Sequence, residues 1–148
     1  MENLKDLFVS KDISIKLKEK GFDEPCLAVY RGGSLYFDKM ISGYLSDLSD
    51  NTDFSTNSNF DNHFLVNKTD ANYWITAPML VQVIDWLREK HSIELGSPKN
   101  IIFNGGKRHF RVSIYKIREK KGLLKELSGF NEYYEALNEA IKQAIKLI

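Results

Sequence analysis

Apolar residues recur at helical spacing at both ends of the second half of this chain and alternate with polar residues between them. Met79, Leu80, Val83, Ile84, Trp86 and Leu87 form a broad stripe with a period of about 3.6 residues, and Gln82, Asp85, Arg88 and Glu89 fall opposite it, which predicts an amphipathic helix. Thr76 stands where a capping side chain is expected and Pro78 suits a first turn, so the helix is expected to start there and to end at His91-Ser92. A histidine at that end suits the negative pole of the helix dipole. Tyr134, Leu137, Ile141, Ala144, Ile145 and Ile148 form a second stripe. Asn131 is its expected cap, with Glu132 and Glu135 near the positive pole and Lys142 and Lys146 near the negative one.

Between these helices the period changes to two. Phe110, Val112 and Ile114 alternate with Lys107, His109, Arg111, Ser113 and Tyr115, which predicts a strand over 107–117 with one core face and one wet face. Ile93-Glu94-Leu95 and Asn100-Ile101-Ile102-Phe103 read as short strand pieces parted by Gly96-Ser97-Pro98, and Asn104-Gly105-Gly106 as a hairpin turn. A second turn is expected at Arg118-Glu119-Lys120-Lys121-Gly122, followed by a strand over Leu123 to Leu127.

The first half is read in the same way. Ser10 caps a short helix from Lys11 to Lys20, Gly21 ends it, and Ile13 and Leu17 mark its buried face. Cys26 to Tyr30 and Leu35 to Phe37 flank Arg31-Gly32-Gly33-Ser34 as a hairpin. No helix start follows those glycines, which removes the usual basis for a phosphate cradle. The expected fold class is α+β: an antiparallel sheet packed against two main helices, with an N-terminal short helix and hairpin and a C-terminal helix-strand-strand-strand-helix unit. All 148 residues are expected to form a single domain carrying a long Asn-, Asp- and Ser-rich loop at about 46–72.

A hydrophobic fraction of 43% with 28% charged residues excludes a wholly disordered, collagen-like or membrane-embedded chain. The net charge of +1 creates no global field that would draw in nucleic acid or anionic membrane. Charge is instead locally uneven. Asp47, Asp50, Asp53, Asp61 and Asp70 face only Lys68 between Ser46 and Asn72, whereas the stretch from Lys99 to Lys125 is basic apart from Glu119. Cys26 is alone, which suits a reducing compartment and a buried structural thiol. The amino terminus lacks the basic start and apolar stretch of a secretion signal, and no apolar run reaches membrane-spanning length, so a cytoplasmic protein without a membrane partner is expected. Asn67-Lys68-Thr69 then matches a glycosylation pattern by coincidence.

Catalytic signatures are missing from the sequence. His63, His91 and His109 lie in no local nucleophile or zinc pattern, the acids of the loop lack the order of a calcium-binding loop, and there is no phosphate loop or dinucleotide fingerprint. No enzyme activity, metal or cofactor is expected. A binding or adaptor domain is the leading expectation, with an unknown protein or nucleic acid as partner. The candidate contact residues are Lys107, Arg108, His109, Arg111, Tyr115, Lys120 and Lys121, where aromatic stacking beside cations would suit a single strand. A homodimer through an unpaired sheet edge is a further expectation.

Ala77-Pro78, the run from Gln82 to His91, Tyr134-Glu135-Ala136-Leu137 and Ala140-Ile141 resemble a family of small uncharacterised proteins encoded by phages and prophages of gut Bacteroidetes. Lys18 to Phe22 and Glu24-Pro25-Cys26 are similar to the start of such proteins. The resemblance implies phage association and brings no activity, cofactor or catalytic residue. In topology alone, helix, three antiparallel strands and helix is also the order of the double-stranded RNA-binding domain. That family grips phosphates with lysines at the start of its last helix, where this chain has Asn131, Glu132 and Glu135.

Overall fold

A computed structural model describes residues 4–37, 74–102, 105–117 and 122–148 of the chain. The Asn-rich loop, the Asn67 pattern, Phe103, Asn104 and Arg118 to Lys121 lie outside the described residues. The fold is α+β, with helices and antiparallel sheets, and it divides into two compact units, Met1–Met79 and Leu80–Ile148. Among the described residues no helix is long and apolar enough to cross a membrane.

In the first unit a 3-10 turn at Leu4–Leu7 precedes α1 (Lys11–Glu19), which starts as its sequence predicts: Ser10 Oγ accepts from the backbone N–H of Ile13 at 3.4 Å. Gly21 follows with φ 84°, the left-handed backbone that glycine takes without a Cβ clash. Ile13 and Leu17 are buried, and α1 lies against β3 (Trp74–Ala77). The expected hairpin is present as β1 (Ala28–Arg31) and β2 (Ser34–Phe37), joined by Gly32-Gly33 with Arg31 opposite Ser34. β3 pairs with the other side of β1, giving the order β2-β1-β3. Phe8, Ala28 and Ala77 form a small core, and the Tyr30 hydroxyl donates to the carbonyl of Val9 at 2.7 Å. Burial pushes the Tyr30 pKa above its ordinary value. Cys26 is buried, as expected of a structural thiol, and its Sγ–H donates to the Glu24 carbonyl at 3.3 Å.

Thr76 does not cap a helix. It sits inside β3 opposite Val29, almost fully buried, and α2 runs from Leu80 to His91. Trp74, Ile75 and Thr76 are bulky or β-branched and favour the pleated ladder, and Pro78, which has no N–H to donate, lies just beyond its end.

The second unit has the expected helix-strands-helix order, with four strands between the helices where three were expected. After α2 come β4 (Ile93–Leu95), β5 (Lys99–Ile102), β6 (Arg108–Lys116), β7 (Leu123–Phe130) and α3 (Tyr133–Ile145). β4 and β5 pair with successive halves of one side of β6, and β7 pairs with the other side. Gly96 N–H donates to the Ser113 carbonyl at 2.8 Å, and Lys99 stands opposite Arg111, so Ser97 and Pro98 together face Val112 alone. This is a bulge that joins β4 and β5 into one bent edge. β7 carries two more irregularities, at Leu124 and at Gly129, which takes φ 94°.

α2 and α3 cover one face of this sheet. Val83, Leu87, Ile93, Val112, Ile114, Ile141 and Ile145 are at most 2% exposed, and both stripes read from the sequence supply their inward residues. Arg88 fastens the end of α2 to β4 by donating twice to Glu94, at 2.5 and 2.9 Å, and it also donates to Asp85 within the helix at 2.9 Å. His91 ends α2 with its ring 4.5 Å from that of Trp86. Asn131 is not the cap of α3. Glu132 occupies that position without a side-chain bond, and Glu135 reaches back to accept from the Asn131 N–H at 3.3 Å.

Lys125 points to the helix side of β7 and donates to Gln143 at 2.8 Å, while Gln143 donates to Glu139 at 2.7 Å. The Gln143 bond, opposed by partial burial and aided by Lys142, holds the Glu139 carboxyl below its ordinary pKa. A depressed carboxylate pKa stabilises the fold above the unfolded value, and that contribution is lost as pH falls through the folded value. Denaturation midpoints measured from about pH 5 down to about pH 3 should therefore fall more for the parent than for Glu139→Gln.

Two further outcomes follow from the packing. Ile114→Ala should cost about 2–5 kcal/mol by chemical denaturation, whereas Tyr115→Ala, one position on and facing water, should cost about 1 kcal/mol or less. Ser92 follows α2 at φ 56°, so Ser92→Gly should raise stability by about 0.5–1 kcal/mol in the same measurement.

Candidate functional site

The face of the second sheet opposite its helices is built from the other parity of β6. His109, Arg111, Ser113 and Tyr115 point to it, with Ile101 opposite His109, Lys99 opposite Arg111, Glu126 opposite Ser113 and Leu123 opposite Tyr115. Tyr115 and Leu123 are both exposed. Beside the β4–β5 bulge lies an open depression of about 360 Å³, lined by Gly96, Ser97, Lys99, Ile101, Arg111, Ser113, Tyr115 and Glu126. Gly96 keeps its floor low. A Cβ there would stand 3.4 Å from the Ser113 carbonyl oxygen and 3.6 Å from Tyr115 Cε2.

Of the residues singled out from the sequence, Arg111, Tyr115 and His109 share this face. Lys107 is exposed just ahead of β6. Arg108 opens β6 on the parity of Phe110 and so falls on the other side of the strand. Lys120 and Lys121 lie outside the described residues. Cross-strand pairing contributes Lys99, Ile101 and Glu126, which were not singled out as contacts because a strand's partner depends on register and bulges that local pattern does not encode.

The electrostatics are mixed rather than uniformly basic. Arg111 Nη1 lies 3.4 Å from Glu126 Oε1, and both side chains remain substantially exposed. Lys99 stands directly across from Arg111, and like charges in that relation repel. Three hydroxyl-bearing residues, Ser97, Ser113 and Tyr115, line the same depression. Among the described residues no group of three His, Cys, Asp or Glu side chains is placed to hold a metal ion.

Comparison of the chain with protein families, with curated proteins and with solved structures found no match.

The opposed cations generate a measurable consequence. Lys99→Glu replaces a repulsive cross-strand pair by an attractive one and should raise stability by about 0.2–1 kcal/mol in chemical denaturation. A double-mutant cycle on Arg111 and Glu126 should give a coupling below about 1 kcal/mol, as for other exposed ion pairs.

Proposed function

We propose that this chain is a small, non-catalytic binding or adaptor module that receives a protein segment on the open face of the Leu80–Ile148 sheet, and that it acts in the cytoplasm in association with a phage. The observation that carries this reading is the combination on one face of exposed Tyr115 and Leu123 with Lys99, Arg111 and Glu126 around a depression. An aromatic ring and an aliphatic side chain supply area for contact, and charges of both signs supply direction. The buried lone thiol of Cys26 is compatible with a reducing compartment, and phage association rests on the resemblance carried by the α2 and α3 segments.

Edge pairing into a homodimer has less support in the second unit. β7 is interrupted at Leu124 and Gly129, and the opposite edge is broken at Ser97-Pro98, devices that discourage the addition of another strand.

Single-stranded nucleic acid is the second reading, favoured by Lys99 and Arg111 standing near the Tyr115 ring. Glu126 beside Arg111 weakens it, because a carboxylate there competes with each phosphate.

Selection of displayed heptapeptides on the full chain, counter-selected on Arg111→Glu, separates the readings. Enrichment of peptides that bind the parent, and that lose binding on Arg111→Glu and Tyr115→Ala, is the expected result. Enriched peptides indifferent to both changes, or no enrichment, would remove the open face as a protein-binding surface. A labelled single-stranded oligonucleotide should show little binding; a fall in affinity of about a thousandfold between roughly 50 and 200 mM salt would instead favour the nucleic-acid reading.

A further inference from the structure

We infer that the depression beside the β4–β5 bulge is a carboxylate subsite, which takes an Asp or Glu side chain of the bound protein segment; this rests on reading the open face as a protein-binding surface. Its lining brings two cations, Lys99 and Arg111, against one acid, Glu126. The two cations are register partners, an arrangement that works against the sheet and becomes favourable when an anion sits between them.

Arg111 already faces a carboxylate. Glu126 lies 3.4 Å from it, longer than the 2.7–2.9 Å of a strong charge-assisted bond, so the guanidinium is oriented toward an acid without being saturated by it. Glu126 is thus an internal competitor for the incoming group. Ser97, Ser113 and Tyr115 line the same space and carry hydroxyl donors for oxygen lone pairs that the cations leave unfilled. The missing side chain at Gly96 leaves room above the Ser113 carbonyl and beside the Tyr115 ring.

The surroundings favour a monoanionic carboxylate over a phosphate. Glu126 borders the depression, and Glu94 stands opposite Tyr115 in the ladder with its charge shared with Arg88. A dianion would meet more repulsion from both acids than a single negative charge does. Tyr115 and Leu123, paired across β6 and β7, offer apolar contact for a residue next to the acid in the bound segment. The ligand class is therefore a short segment with an acidic residue beside an apolar one.

Amide NMR titration of the full chain with the tripeptide acetyl-Leu-Glu-Leu-amide, its Gln analogue and inorganic phosphate tests the inference. Saturable shifts at Gly96 and Ser113 are expected with the Glu peptide, with affinity about fivefold or more above that of the Gln peptide and of phosphate. Lys99→Glu, which should fold at least as well as the parent, should abolish those shifts, and Glu126→Gln should tighten binding about threefold by removing the competitor. Equal affinity for the Gln peptide, preference for phosphate, weaker binding by Glu126→Gln or absence of saturable shifts would each overturn the subsite. Peptides from the display experiment that depend on Tyr115 yet lack an acid would overturn it while leaving the protein-binding face intact, whereas enrichment indifferent to that face would overturn both.

Discussion

The central strand β6 must send alternate side chains to environments with opposite demands. Val112 and Ile114 are buried on the helix side while Arg111 and Tyr115 belong to the open face. A slip of one residue would drive a guanidinium toward α3 and bring two aliphatic side chains into water, so hydrophobic burial fixes the register of the whole sheet. Everything proposed for the open face depends on that register, because it places Lys99 beside Arg111 and Glu126 beside Ser113.

The bulges adapt this rule to the shape of the unit. Between Gly96 and Lys99 the edge advances by one extra residue, which lets Leu95 point into the core and Lys99 out of it on one bent edge. The same irregularity forms the depression. Gly129 and Leu124 introduce comparable breaks in β7, and together they limit the regular ladder to its centre.

Much of this was legible in the sequence because the strongest patterns coincide with burial. The stripes of α2 and α3, the period-two strand, the Gly32-Gly33 hairpin and the capped α1 all arise where local preference and core packing agree. β3 was hidden because Thr76 followed by Pro78 imitates a helix start, while its pairing with β1 is a long-range contact invisible to local pattern. Asn131 misled for a related reason: its cap chemistry is adequate, but the helix begins two residues later and Glu135 satisfies its N–H. β7 extends beyond Leu127 to Phe130 because Gly129 accommodates a bulge instead of ending the strand. For the site, the alternation of β6 identified Arg111 and Tyr115, whereas Lys99, Glu126 and the glycine floor required the cross-strand register. Arg108 illustrates the difference between a basic run and a basic face, since adjacent residues on a strand point apart.

Methyl NOE spectroscopy combined with a soluble paramagnetic relaxation agent tests the two-sided sheet most directly. Contacts from Val112 and Ile114 methyls to α3, with little solvent-induced relaxation, and strong relaxation of the Tyr115 ring are the predicted result. Strong relaxation of those methyls, with the Tyr115 ring contacting α3, would contradict the account.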